Sequence, residues 1–298
     1  MKKICLTVVL LCAAMVGAMA QVVTLKNGNA TMTIDVEKGG KVLSLKYKDK
    51  EVLSQMRFPE SFGSTFWTSP QKEWNWPPVT EFDKALYTLV QQTDERLVIK
   101  SPVSQRLGLS VGKDFGIDAN DGAFVVTYSI KNESKKPRSV APWEITRVPN
   151  GDGIIFFESQ LDSIWPLGLM DFVRSCDAVW YKTDEAPQNR KVNADGSGWL
   201  AYFADGLLLV KRFQDLKKNE PAPGEAEVQV YVNRGKTYIE LESQGAYTLL
   251  QPEEQLDWTV RWNLYPVDCK AEPSHKLMKR ICDPDKIPED LYRKDPVD

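Results

Sequence analysis

Short runs of alternating apolar and polar residues, separated by turn residues, fill most of this chain and constrain its fold more than any other feature. The run Lys41 to Tyr47 shows the alternation, and Asp121-Gly122 and Asp205-Gly206 are typical of tight turns. A period of two places every second side chain on the same face of a sheet. No segment before residue 274 has the 3.6-residue apolar period of a long helix. The sequence therefore predicts an all-β sandwich or barrel.

The predicted strands follow one another without a linker between them. We predict strands at 22–25, 30–36, 41–47, 51–53, 87–90, 97–101, 107–111, 124–130, 154–157, 199–203, 207–213, 227–233, 238–243 and 256–264. One short helix is predicted at Ser274 to Cys282. We therefore predict a single β-sandwich domain over residues 21–282, followed by a loosely packed, charged and proline-rich tail over residues 283–298.

The first twenty residues have the pattern of a secretory signal peptide. Lys2 and Lys3 precede an apolar run from Ile4 to Val16, and Ala18-Met19-Ala20 supplies small residues where a signal peptidase reads them. The run is shorter than the ~20 residues that span a bilayer, which favours a cleaved signal over an anchor. We expect cleavage after Ala20 and a periplasmic or secreted protein that does not associate with a membrane afterwards.

Charge and rare residue types exclude several classes of function. With a formal net charge of −3, the chain lacks the excess of basic residues that is typical of nucleic-acid binders. The chain has one histidine, His275, which argues against Ser-His-Asp and zinc sites. We predict no cofactor and no metal; a calcium site would fit the composition but has no motif. Cys269 and Cys282 could pair, or they and Cys176 could be buried free thiols.

Three of the nine tryptophans, Trp67, Trp74 and Trp76, lie close together in the chain. Pro70 lies within this stretch and Pro77 and Pro78 directly follow it, so we predict an irregular segment rather than a long strand. Indoles on such a segment can present flat apolar faces to a sugar ring, while nearby carboxylates and amides bind its hydroxyls. The alternative role for these indoles is packing in the core.

Two further stretches place carboxylates near groups that could cooperate with them. Trp143, Glu144 and Arg147 lie within five residues of each other, and an exposed strand face is the alternative interpretation. On the strand predicted at 238–243, Glu240 and Glu242 share a face. A carboxylate pair on one face suits acid–base chemistry or a cation, and a solvated polar face is again the alternative.

The order of three segments resembles the galactose mutarotase-like superfamily, in an exported, Bacteroidetes-type branch. These segments are Gly39 to Leu45, Leu107 to Ser134 and Leu241 to Leu264. The resemblance implies an antiparallel β-supersandwich of the aldose 1-epimerase type, with a sugar on its concave face. It also implies that Glu242 takes the place of the epimerase glutamate that acts as base on the anomeric hydroxyl. Epimerases use a histidine as the partner acid, and residues 143–147 contain none, so Glu144 or Arg147 would have to substitute.

We therefore predict a carbohydrate-binding or carbohydrate-modifying protein, and whether it is an enzyme stays open at this point. The predicted catalytic residues are Glu242 and Glu144, and the predicted substrate-binding residues are Arg147, Trp143, Trp74, Trp76 and Trp180. One alternative is a two-carboxylate glycoside hydrolase or lyase, whose carboxylates would lie about 5 Å or roughly 6.5–9.5 Å apart. The other is a non-catalytic accessory protein, whose tryptophans would form a flat exposed patch.

Overall fold

The computed structural model describes residues 22–58 and 61–281, and about half of them belong to antiparallel strands. The strands are Val22–Asn27 (β1), Ala30–Asp35 (β2), Lys41–Tyr47 (β3), Lys50–Glu51 (β4), Ser64–Ser69 (β5), Thr88–Gln92 (β6), Arg96–Lys100 (β7), Leu109–Ile117 (β8), Phe124–Asn132 (β9), Arg138–Pro149 (β10), Ile154–Phe157 (β11), Ile164–Trp165 (β12), Phe172–Ser175 (β13), Ala178–Lys182 (β14), Arg190–Ala194 (β15), Trp199–Ala204 (β16), Leu207–Arg212 (β17), Val228–Val232 (β18), Tyr238–Gln244 (β19), Thr248–Leu250 (β20) and Gln255–Pro266 (β21). The helices are Thr80–Asp83 (α1) and His275–Lys279 (α2), and Gln71–Glu73 and Leu161–Ser163 form 3-10 turns.

The strands form two large sheets that share one apolar core. The first sheet has eleven strands in the order β1-β2-β3-β5-β10-β19-β18-β15-β12, with β4 beside β3 and β20 beside β10. The second has ten strands in the order β13-β14-β11-β16-β17-β21-β9-β8-β7-β6. Strand β9 shows how alternation builds the core, since Phe124, Val126, Tyr128 and Ile130 are buried and the residues between them are not.

The predicted antiparallel β-sandwich is confirmed. Lys41–Tyr47 and Ile154–Phe157 have the bounds that the sequence predicts, and the predicted C-terminal helix is present as the shorter α2. None of the helices in the described part of the chain is long and apolar enough to cross a membrane. The predicted signal peptide, Cys282 and the C-terminal tail lie outside the described residues.

Two central strands differ from the prediction. Ser64–Ser69 is the regular strand β5, because the first proline, Pro70, follows the strand and ends it rather than interrupting it. Trp67 therefore stands on a strand, and only Trp74 and Trp76 lie in the irregular segment. The twelve residues of β10 form one strand between β5 and β19. Because these strands are central, the stretches that carry the predicted site lie in the middle of the first sheet.

Candidate functional site

The register of the first sheet sorts the candidate site residues into two rows that run across the strands. One row, which we call the outer row, consists of Trp165, Asn193, Gln229, Glu242, Ile145 and Thr65. The adjacent row, which we call the inner row, consists of Ile164, Ala194, Val228, Ser243, Glu144 and Phe66. Directly opposed residues point to the same face and neighbours along a strand point to opposite faces. The inner row faces the second sheet, and the outer row faces away from it.

Two adjoining hollows lie on the outer face, and together we call them the tryptophan cleft. Their volumes are about 310 and about 390 Å³, and they share Ser61, Trp67 and Trp76. The first is also lined by Gln71, Trp143, Lys191, Tyr231, Tyr238, Glu240 and Glu242, and the second by Lys41, Pro77, Pro78, Asp83, Lys84 and Arg147. The cleft thus combines indole faces with charged groups of both signs.

Glu242 lies at the floor of this cleft, with only 1% of its surface exposed. Its Oε2 atom accepts a hydrogen bond from Trp143 Nε1 at 2.8 Å and from Lys191 Nζ at 2.8 Å. Burial raises the pKa of Glu242 to about 7, and the nearby Glu240 adds to this, although Lys191 opposes it. The carboxyl group therefore changes its protonation state near neutral pH.

Glu240, two residues before Glu242 on the same face, is held by Arg147. The Arg147 Nη2 atom lies 2.8 Å from Glu240 Oε1, and its guanidinium lies 5.8 Å from the centre of the Trp67 ring. The Nε atom of Arg147 is buried and has no hydrogen-bond partner within residues 22–58 and 61–281. Arg147 is therefore held in place by Glu240, and its Nε is enclosed in the protein.

Asp83, at the end of α1, fixes one wall of the cleft. Its Oδ1 atom accepts hydrogen bonds from Thr65 Oγ1 at 2.9 Å and Trp67 Nε1 at 3.0 Å, and Lys41 Nζ lies 3.4 Å from Oδ2. Burial works to raise the pKa of Asp83, but Lys41 and these hydrogen bonds outweigh it, so the pKa lies below the ordinary value. Asp83 is therefore charged at neutral pH and sets the orientation of the Trp67 ring.

The indoles of the cleft pack edge to face around Trp67. Its ring centre lies 5.4 Å from that of Trp143, 5.6 Å from Trp74 and 6.1 Å from Trp76. Trp74 is buried and donates its Nε1 hydrogen bond to the carbonyl of Thr68 at 2.7 Å, so it supports the wall from behind. Trp76 has 66% of its surface exposed. It is the indole of this group with the most surface available to a ligand.

Glu144 does not face Glu242, which corrects the predicted catalytic pair. It belongs to the inner row and is fully buried between the sheets. Its Oε2 atom lies 2.8 Å from Lys211 Nζ, and Tyr128 donates a hydrogen bond to Oε1 at 3.1 Å. A carboxylate enclosed in this way cannot reach a ligand in the cleft. The two-carboxylate hydrolase, as predicted with Glu144 and Glu242, therefore has no geometric basis.

Trp180 is also remote from the cleft. It lies on β14 in the second sheet, where it is fully buried and stacks on Phe156 with ring centres 4.1 Å apart.

Of the predicted site residues, the structure brings Glu242, Arg147, Trp143 and Trp76 to the cleft and places Trp74 behind it. It adds Lys191, on β15, which was not predicted as a strand, and Tyr231, on β18, a predicted strand from which the sequence analysis selected no residue. It also adds Asp83, whose role depends on contacts with distant strands.

Other polar clusters offer less to a ligand. Within the described part of the chain, no group of three or more His, Cys, Asp or Glu side chains is arranged to hold a metal ion. A further hollow of about 420 Å³ lies beside Tyr202 and Asp205, and no tryptophan is among its lining residues. The tryptophan cleft is therefore the better candidate site.

Comparison with known proteins identifies the fold. No family model matches the chain, and no curated protein matches it by sequence. The structure is similar to a protein of Escherichia coli K12 whose proposed activity is aldose 1-epimerase, with a TM-score of 0.59, 11% identity, and coverage of 83% of this chain and 99% of that chain. It is also similar to a galactose mutarotase-like protein from Lactobacillus casei, with a TM-score of 0.56, 11% identity, and coverage of 82% and 100%.

A third similar structure is larger than this chain. It is a TPR-domain containing protein from Parabacteroides distasonis, with a TM-score of 0.56 and 16% identity, and the match covers 85% of this chain and 49% of that chain. At such low identities the similarity establishes the architecture and not the activity. The two facing antiparallel sheets and these structural matches show that this chain has the galactose mutarotase-like fold.

Proposed function

We propose that this protein binds a carbohydrate in the tryptophan cleft. One observation carries the proposal: a buried carboxylate, Glu242, is held between an indole N–H and Lys191 at the floor of a hollow walled by tryptophans. A pyranose ring has apolar C–H faces and a rim of hydroxyl groups. The cleft offers complements to both parts, with the exposed Trp76 for a ring face and the charged groups for the hydroxyls.

The hydrogen-bonding groups of the cleft are ordered before a ligand arrives. Both hydrogen bonds to Glu242 end on Oε2, so that Oε1 has none among the described residues. Arg147 is likewise fixed by its ion pair with Glu240. Side chains that are already fixed lose little conformational freedom on binding, which favours affinity for a small polar ligand.

A second candidate function, proton transfer on the bound sugar, is favoured by the pKa of Glu242. A group that titrates near 7 can both take and give a proton at neutral pH. Ring opening of a sugar also needs an acid for the ring oxygen, and the Lys191 ammonium 2.8 Å from Glu242 could supply that proton. In this proposal Lys191, rather than Glu144, is the partner acid. Polarimetry of freshly dissolved sugars tests it, because Glu242→Gln should abolish any acceleration of mutarotation.

We also propose that the protein acts after export, in the periplasm or outside the cell. The support is the basic start, the apolar run and the Ala18-Met19-Ala20 pattern of the sequence. Mass spectrometry of the protein recovered from its native envelope and medium fractions should give a chain that starts at Gln21. A full-length chain starting at Met1 and confined to the cytoplasm would contradict export.

The binding proposal is tested by a thermal-shift screen of the chain from Gln21 onward against a panel of mono- and oligosaccharides, with and without calcium. A ligand that binds only the folded state raises the melting temperature once its concentration exceeds its dissociation constant. We expect a shift for one class of sugar that disappears in Glu242→Gln. No shift with any sugar, from a sample with a cooperative melting transition, would instead favour the accessory-protein alternative.

A further inference from the structure

A third hollow lies at the β12 edge of the first sheet, where Trp165 of the outer row and Ala194 of the inner row both line it. Its volume is about 330 Å³, and Trp165, Asp195, Glu225 and Glu227 are among its lining residues. Trp165 has 43% of its surface exposed, which is unusual for so large an apolar ring. The hollow thus repeats the composition of the tryptophan cleft, with an accessible indole beside acidic oxygens.

The sheet register aligns this hollow with the cleft. Trp165 and Glu242 both belong to the outer row, so their side chains leave the same face of the sheet. Three strand-to-strand steps separate them, and neighbouring strands lie about 4.8 Å apart, which gives roughly 14 Å. That separation exceeds the width of a single pyranose ring and matches a short chain of linked sugar units.

Amide and carboxylate groups occupy the part of the first sheet between the tryptophan cleft and the third hollow. Gln229 Nε2 donates to Asn193 Oδ1 at 2.7 Å and to Glu225 Oε2 at 3.0 Å, and Gln244 Nε2 donates to Glu225 Oε2 at 3.2 Å. Glu225 Oε1 accepts a hydrogen bond from the backbone N–H of Gln71 at 3.1 Å. This contact forms a polar ridge between the tryptophan cleft and the third hollow. Gln229 and Gln244 are buried beneath this ridge, whereas Asn193 and Glu225 are partly exposed. Asn193 and Glu225 are therefore the groups of this strip that suit the hydroxyl groups of a sugar chain crossing it.

Glu227 keeps the wall of the third hollow in place. It accepts hydrogen bonds from the backbone N–H of Gly198 at 2.8 Å and of Leu216 at 3.1 Å. These contacts tie the connection after β15 and the segment after β17 to one fully buried side chain. These hydrogen bonds fix the position of Glu227 in the wall of the third hollow.

We propose that the third hollow is a second sugar subsite, and that the ligand is an oligosaccharide lying across the strands from Trp76 to Trp165. This inference rests on the proposed carbohydrate binding and deepens it by naming the class of ligand. A monosaccharide occupies the tryptophan cleft alone, whereas a longer chain also stacks on Trp165. Trp165 then contributes to the affinity for oligomers only.

Isothermal titration calorimetry tests the proposal with glucose, galactose, mannose and xylose and with their short linear oligomers. We expect the oligomer of one sugar to bind at least about tenfold more tightly than its monomer, with one ligand per chain. Trp165→Ala should remove this gain and leave the affinity for the monomer unchanged, while Trp165→Phe retains most of it. Leu167→Ala, a change at an exposed apolar residue close by, is the control and should retain the gain.

Three results would overturn the second subsite and leave carbohydrate binding intact. They are equal affinities for monomer and oligomer, a gain that survives Trp165→Ala, and two sugars bound independently per chain. Absence of binding by every probe would overturn the proposed function together with the subsite. Melting curves of the variants show whether each one is folded, and the partial exposure of Trp165 predicts a small change in stability.

Discussion

The Nζ atom of Lys211 lies 2.8 Å from the Oε2 atom of Glu144, although the two residues belong to different sheets. Both side chains are fully enclosed, and Tyr128 donates a hydrogen bond to the same carboxylate. Burial raises the pKa of Glu144 and lowers that of Lys211, and the attraction between them opposes both shifts. Glu144 is therefore part of the contact between the sheets, and its role is structural.

The first prediction concerns the stability that this ion pair provides. Glu144→Gln leaves the buried Lys211 without a counter-charge and should lower the free energy of unfolding by about 3–5 kcal/mol. The double variant Glu144→Gln with Lys211→Met should recover much of that loss because neither position of the pair then carries a charge. Urea unfolding of the three proteins measures both effects. A single variant as stable as the parent would show that the pair is dispensable.

The second prediction concerns sugar binding by Glu242. Glu242→Gln keeps the shape of the side chain but removes the charge, so affinity for a sugar should fall by about 10–100-fold. The fold should persist, because Trp143 can still donate to the amide oxygen and Lys191 is partly exposed. Titration calorimetry gives the affinity. Ser243→Ala, on the same strand but in the inner row, is the matched control and should bind like the parent.

The third prediction concerns the pH dependence of stability. The pKa of Glu242 is about 7 in the folded chain, above its ordinary value of 4.5, so the folded state holds the proton more tightly. The protonated carboxyl group makes its full contribution to the free energy of unfolding below the ordinary pKa. That contribution is lost as the pH rises through about 7. Relative to Glu242→Gln, the free energy of unfolding should therefore fall by about 1–3 kcal/mol between acidic and mildly alkaline pH. Urea unfolding of both proteins at several pH values across that range measures the effect. A difference in free energy of unfolding that does not change with pH would refute the prediction.

The fourth prediction separates a binding tryptophan from a core tryptophan. Trp76→Ala should weaken sugar binding about tenfold with little change in melting temperature, since Trp76 is mostly exposed. Trp180→Ala should instead destabilise the fold by about 3–5 kcal/mol, because it leaves a cavity beside Phe156 in the second sheet. Calorimetry and thermal melting of both variants give the comparison. Equal binding by Trp76→Ala and the parent would remove Trp76 from the site.

The sequence carries enough local information to predict the strands and the class of fold. Alternation locates β3 at its observed bounds, whereas β11 is a short continuous apolar run that is buried on both faces and bounded by turn residues. The same rule also bears on the site. Glu144 and Arg147 lie three residues apart on a strand, so they must point to opposite faces, and recognising β10 as a strand would have excluded their pairing.

The composition of the cleft depends on strand neighbours that sequence spacing does not reveal. Lys191 meets Glu242 because β15, β18 and β19 are adjacent in the sheet, although the two residues are far apart in the chain. Likewise, nothing local distinguishes Trp180 from Trp143, since both lie on strands rich in large apolar residues. Their different positions follow from the assignment of their strands to different sheets, which is a property of the whole topology.

The strict alternation of β19 has a consequence for how this protein can change over evolutionary time. Glu240, Glu242 and Gln244 face outward, while Ile239, Leu241 and Ser243 face the core. An insertion or deletion of one residue in this strand would turn the carboxylates into the core and the apolar side chains into the cleft. Substitutions can therefore alter the ligand one side chain at a time, whereas length variants of β19 would lose the fold and the cleft together.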